Sequence, residues 1–336
     1  MVLTSSGWAG TVSTWTEGGV VSGAWAHAAT SRSALTRTVR MAANMEPGRN
    51  GRCQNLARMN WELAFPMRTL LHGRELFVGE WHCAGGSPRP PCWRERALYY
   101  EVDLLQTGTH VRDLGHQRNV VDPTTAALHA PSDEYWMAAP TERPQRGTLL
   151  LLRGALAEEL IPRLPTRSCS ISPQAARFHV QLLHSVDPLA REETALSLVH
   201  CVLSDARAQP ERARNVSRAW RRLSEELQHV VATRYKERLS LEDMASACRT
   251  SPFHASRVFR AVTGETLHRH LTRVRLRAAL LELQGAAGRL TELALAMGFS
   301  SHSHFTQAFQ EEFCCAPSSL VGGPALGRKT PSRKKD

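Results

Sequence analysis

Hydrophobic positions follow a strand period in the first half of the chain and a helical period in the second. Between Leu56 and about Leu160, short apolar runs alternate with polar residues and stop at turn residues. Glu75–Trp81 alternates, and Gly85-Gly-Ser-Pro-Arg-Pro-Pro91 interrupts it. Leu98–Leu105 reads as a strand ended by Gln106–Thr109, His110–Val121 as a hairpin around Gly115, and Thr148–Leu152 as an apolar strand. Turn signals at this spacing predict a sandwich or small barrel. From Ala175 the spacing becomes three and four, with Phe178, Leu182 and Leu183, then Ala195, Leu198, Val199 and Val202, which predicts amphipathic helices. Asp205–Asn215 is polar, holds Pro210 and reads as a linker. A helix over Val216–Tyr235 follows, aligning Trp220, Leu223, Leu227, Val230 and Val231.

The next pattern occurs twice. Leu239–Arg260 and Leu290–Phe309 each spell a short amphipathic helix, a tight turn and a second helix with a polar outer face. In the first unit Leu241, Met244 and Ala245 take core spacing. Ser251 and Pro252 suit an N-cap and first helical position. The helix from Pro252 to Val262 buries Ala255, Val258 and Phe259, which turns Phe253, Ser256, Arg257 and Arg260 outward. His254 reads as a packing residue. In the second unit Leu293, Ala294, Met297, Phe305 and Phe309 are buried, Gly298 supplies a positive-φ turn, and Ser300 is expected to cap. His302, Ser303, Thr306 and Gln307 then face out. A helix entering the major groove by its N-terminal half offers such side chains to base edges. Arg257 can bond guanine O6 and N7 together, and Gln307 can read adenine. Between the units, Leu267–Leu283 forms a long helix carrying Arg269, Arg273, Arg275 and Arg277, expected as a solvated face with some phosphate contacts.

Composition agrees with this picture. The 336 residues give room for two domains, and a net charge of +11 favours an anionic partner, nucleic acid ahead of a membrane surface. No apolar run approaches a membrane span. The Ser/Thr/Gly/Ala-rich start lacks the build of a secretory signal and reads as a disordered leader, with Met41 or Met45 as alternative starts. The eight cysteines show no Cys-x-x-Cys or zinc-ligand spacing, so reduced thiols in the cytoplasm are expected.

Residues from about Val216 to Leu320 resemble the DNA-binding domain of the AraC/XylS family of bacterial transcription regulators. Gly298-Phe299-Ser300, Ser303-His304-Phe305, Phe309, Phe313 and Pro317 carry the likeness. The resemblance implies a seven-helix domain with two recognition helices on a rigid linker helix, preceded by a cupin-like β-barrel that senses a ligand and dimerises. The fold class is therefore α+β. Two positions depart from the family pattern: Cys314 stands where glycine is usual, and Leu267 where proline is common. The expected organisation is a leader (1–50), a cupin-like sensing domain (51–160), a helical dimerisation and linker region (161–210), the DNA-binding domain (211–320) and a basic disordered tail (321–336).

The function expected is sequence-specific regulation of transcription, with activation as the expected mode. Double-stranded promoter DNA, RNA polymerase, a second copy of the chain and a small-molecule effector are the expected partners. No cofactor, metal or membrane is implied. The competing reading is a metal-dependent cupin enzyme fused to a DNA-binding domain, using histidines such as His110, His116 and His129 beside His82, Cys83 and Cys92. It lacks a tight His-x-His pair followed by an acid. Trp81, Trp93, Tyr99, Tyr100 and Trp136 are candidates to line an apolar pocket. A DNA-repair alkyl acceptor would need a Pro-Cys-His-like setting, which Pro91-Cys92-Trp93 does not supply.

Overall fold

A computed structural model describes residues 67–83, 92–115, 118–138, 144–161, 164, 166–208 and 216–321. The expected leader, the tail from residue 322 and residues 209–215 of the linker lie outside the described residues, as do His116 and the side chains of Cys92 and Trp93.

The N-terminal half is built of two antiparallel sheets. One has the order β1-β2-β9-β4-β7-β10, from β1 (Met67–His72), β2 (Leu76–Cys83), β4 (Tyr100–Thr107), β7 (Thr125–His129), β9 (Gln145–Leu152) and β10 (Ser168–Ser170). The other has the order β3-β8-β5-β6, from β3 (Cys92–Arg96), β5 (His110–Asp113), β6 (Arg118–Val121) and β8 (Glu134–Ala138). Among the described residues no ladder joins the two sheets, so the expected barrel is corrected to an open pair of sheets within the same α+β class. The hairpin around Gly115 forms as β5 and β6. Tyr99 and Leu98 fall in a bend before β4, with Leu98 62% exposed.

Strand alternation sorts the six-stranded sheet into two unlike faces. Val102, Leu104, Ala126, Leu128, Leu150 and Leu152 point one way into an apolar core. That core is closed by α2 (Pro173–His184) and α3 (Pro188–Ala208), which follow the short α1 (Gly154–Leu160). Asp205, expected in the linker, belongs to α3. Glu101 and Asp103 point the other way, toward β5 and β8 of the second sheet.

The C-terminal half holds α4 (Arg218–Arg234), α5 (Leu241–Ala247), α6 (Pro252–Thr263), α7 (Leu267–Glu282), α8 (Leu290–Ala296) and α9 (His302–Phe313). Short 3-10 turns stand at Leu283–Ala286 and Pro317–Leu320. Its two units do not share one core. Leu227, Val231, Met244, Ala255, Phe259 and Leu271 pack the first unit as a separate cluster. Met297, Phe305, Phe309 and Phe313 of the second unit join the same cluster as the sheet, α2 and α3.

Local chemistry sets each helix start. Ser240 and Asp243 form a reciprocal capping box on α5. Ser251 accepts from the His254 N–H at 3.2 Å with Pro252 at the first turn of α6, and Thr266 accepts from the Arg269 N–H to begin α7. Leu267 in the place of proline therefore leaves this start capped. On α9 the cap is Ser301, accepting from the His304 N–H at 3.1 Å. Ser300 instead bonds the His304 ring at 3.0 Å, correcting the expected cap by one residue. The reason is a longer turn: Arg249 and Gly298 occupy the same positive-φ place, but one residue separates Arg249 from its cap and two separate Gly298 from its own.

A Cβ on Gly298 would stand 2.9 Å from the carbonyl oxygens of both Tyr235 and Lys236, so this turn tolerates only glycine. At the far end of α9, Cys314 holds φ +56°, the place that Gly264 takes on α6 with φ +80°. Gly298→Ala is therefore expected to lower unfolding stability by at least about 2 kcal/mol. Cys314→Gly should raise it by roughly 0.5–1 kcal/mol. Urea midpoints of the two variants against the parent measure both.

Candidate nucleic-acid interface

The first unit presents a cationic and aromatic face. Phe253 is 76% exposed at the start of α6, Arg257 and Arg260 are exposed, and Ser256 is half-buried rather than outward. No carboxylate pairs with Arg257 among the described residues. Its guanidinium carbon lies 5.2 Å from the Trp220 ring centroid and 6.0 Å from that of Phe253. His254 meets Trp220 edge-on at 6.2 Å, the packing role its position predicted.

The second unit presents a neutral face. His302 and Ser303 are exposed over the first turn of α9. Gln307 is exposed, with its amide donating to Glu311 at 2.9 Å. Thr306 is half-buried, its hydroxyl covered, so it contributes less to this face than its spacing suggested.

Helix α7 is not the arginine-lined solvent face expected from sequence; only Arg269 of its four arginines is exposed. Arg275 donates to the carbonyls of Tyr235 and Glu237, both at 2.7 Å, closing the end of α4 onto α7. Arg277 is buried over the Phe313 ring at 5.3 Å and donates to Glu312 at 3.1 Å. Burial pulls its pKa down to about 10. Arg273 and Arg277 both donate to the Ile171 carbonyl at 3.2 Å, at the entrance to α2.

The N-terminal half also touches α7 through a buried ion group. The His270 ring stands 3.2 Å from Asp122 in the β6–β7 turn and 3.0 Å from Glu265. Asp122 is itself held by the backbone N–H and hydroxyl of Thr124. Burial opposes a charge on His270, but the two carboxylates more than reverse it and carry its pKa up to about 9. The contact of His270 with Asp122 was invisible in the sequence, because the two lie more than a hundred residues apart.

Between the sheets lies a second polar group that the pattern missed. Arg112 of β5 donates to Asp103 of β4 and to His129 of β7, and its Nε bonds the His110 ring at 3.0 Å. Tyr135 stacks on His129 at 4.0 Å between centroids, and Trp81 donates to Asp103 at 3.1 Å. Burial, then the Arg112 charge, holds both histidines well below their ordinary range. Burial pushes Glu101 up to about 7. The alternation of Glu101 with Asp103 and of His110 with Arg112 was the available signal.

His110 and His129 thus do come together, but around a guanidinium. Among the described residues no three His, Cys, Asp or Glu side chains form a metal-binding group. Arg112 fills the space where their ring nitrogens and Asp103 converge, so these residues do not fit a metal ion. The proposed apolar lining is corrected too: Trp81 hydrogen-bonds in a polar interior, Tyr99 is exposed, and Tyr135 rather than Trp136 is the buried ring of β8.

Two sheets packed on helices are followed by tandem helix-turn-helix units, and this C-terminal part is of DNA-binding class. Residues 244–321 match the family profile described as "Helix-turn-helix domain". The HTH-type transcriptional regulator YdeC of Bacillus subtilis is 33% identical over 85 residues, 25% of this chain and 29% of that protein. The HTH-type transcriptional activator RhaS of Pectobacterium carotovorum is 43% identical over 58 residues, 17% of this chain and 21% of that protein. The match spans about a third or less of the length of these curated relatives. Among solved structures, ToxT from Vibrio cholerae aligns over 76% of this chain and 99% of its own at 10% identity, with a TM-score of 0.33. That overlap is too low to carry an argument. No described helix is long and apolar enough to cross a membrane.

The His270 group has a signed pH dependence. Its pKa is about 9 folded, against an ordinary 6.5, so its stabilisation is complete below pH 6.5 and is lost as pH rises through 9. Asp122 and Glu265 face it, and Arg273 lies beside Glu265. Urea midpoints should fall between about pH 6.5 and 9 in the parent. The fall should be shallower in His270→Gln; parallel slopes would rule out the ion group as its source.

Proposed function

We propose that this chain is a sequence-specific DNA-binding transcription regulator that reads promoter duplex with α6 and α9. One observation carries the reading: two helices keep polar faces open to solvent while α7, between them, is packed and bonded on its other sides. Helix α7 has 16 residues and so spans ~24 Å, and the helices packed at its ends add ~5 Å each. The sum, ~34 Å, is about one turn of B-DNA, which supports a reading with the two helices on successive major-groove faces.

Each unit has its own role in this reading. Arg257 bonds guanine through its paired N–H groups, and Phe253 meets a thymine methyl. Arg260 and Arg269, exposed and without carboxylate partners among the described residues, supply phosphate contacts. His302, Ser303 and Gln307 read the second site, with Ser256 and Thr306 at the margins. The buried polar group between the sheets supports control by a small effector with hydrogen-bonding groups. Control would reach α7 through Asp122 and Ile171. A second copy of the chain, RNA polymerase as protein partner, activation and a cytoplasmic setting complete the proposal.

Selection of duplexes from a randomised pool by the full chain should yield a defined sequence, with affinity falling steeply as salt rises. Arg257→Ala should cost about 1–3 kcal/mol of discrimination at one guanine, and Gln307→Ala should relax choice at a different position. Unchanged selectivity in both variants would overturn the reading.

A further inference from the structure

The first unit holds its principal base reader in an unusual way. Arg257 lies 5.2 Å above the Trp220 ring and 6.0 Å from the Phe253 ring, two aromatic faces on different helices. Trp220 sits in the first turn of α4, set there by the Ser217 cap, and is half-buried. It also meets His254, one turn back from Arg257 on α6. An aromatic face attracts a guanidinium through its π surface and leaves the in-plane N–H edge unspent. A carboxylate partner would do the reverse, consuming the donors that a base needs. The other α7-side arginines show that contrast: Arg273 and Arg277 are tied to Glu265 and Glu312 and present nothing outward.

We propose that Trp220 is a positioning residue for sequence reading, holding the Arg257 guanidinium in the orientation that bonds a guanine edge while leaving its donors free. The proposal rests on the DNA-reading function above. It assigns a specificity role to a residue of α4, outside both helix-turn-helix units. The second unit has no counterpart, since among the described residues no cation stacks on its outward face. Preorganisation restricts the rotamers of an exposed arginine before docking, so less freedom is lost on binding.

The test uses the full chain and a duplex taken from the selection, with 7-deazaguanine replacing the guanine that Arg257→Ala identifies. A cation–π contact at an exposed site corresponds to roughly two- to fivefold in affinity. Trp220→Ala should lose about that much on the guanine duplex and much less on the 7-deazaguanine duplex. Trp220→Phe should retain most of the preference. Trp220→Leu keeps apolar bulk without a π face, and should behave as the alanine variant while melting like the parent. In an Arg257→Ala background, Trp220→Leu should have no further effect. Equal losses on both duplexes, or full additivity with Arg257→Ala, would show that Trp220 only supports the fold and would overturn the proposal. If Arg257→Ala leaves guanine preference intact, the reading of α6 itself fails and the positioning role falls with it.

Discussion

The carbonyl of Ile171 accepts from both Arg273 and Arg277, and much of the molecule's arrangement hangs on that convergence. Arginines along a helix between two DNA-reading units would ordinarily face solvent or phosphate. Here two of them turn inward to a backbone oxygen at the entrance to α2, and Arg275 turns to the closing carbonyls of α4. Guanidinium groups placed out of water need acceptors, and those acceptors come from the N-terminal half, from the end of α4, and from Glu265 and Glu312. Helix α7 is thereby fixed relative to both, and the two readers inherit their mutual orientation from it.

Much of the second half was legible because its signals are local. The cap at Ser251, the glycine turn at Gly298, and buried Phe305 and Phe309 lie within a few residues of what they specify. The cap on α9 was misplaced by one residue because the turn is one longer, a difference the polar run Ser300-Ser301 hides. The first half was legible only as alternation. Which strand lies beside which depends on partners such as β4 with β9, separated by some forty residues, and sequence period carries no information about that choice. The buried arginines of α7 were misread for the same reason: their acceptors are remote in the chain.

The interior between the sheets follows from alternation once the pairing is known. Placing Asp103, His110, Arg112 and His129 on facing strands concentrates hydrogen-bonding groups where an apolar core was expected. Arg112 neutralises the carboxylate and occupies the histidine acceptors, so the cation at this centre is part of the chain. On the opposite face of the same sheet, the Thr148 hydroxyl meets both Gln106 and the buried ring of His179 on α2. The sheet therefore separates two polar groups, one facing the second sheet and one facing the helical layer.

The unequal division of the apolar cores has a further meaning for how the protein loosens. Helices that share a core tend to open together, whereas a separate cluster forms its own cooperative unit. The second reader shares the core of the N-terminal half through Met297, Phe305 and Phe313, while the first is packed around Leu227, Phe259 and Leu271. One reader thus lies inside the main core and the other forms a cluster of its own. The separate cluster carries the charge, so the strongest grip on an anionic surface belongs to the unit whose apolar packing can open without disturbing the main core.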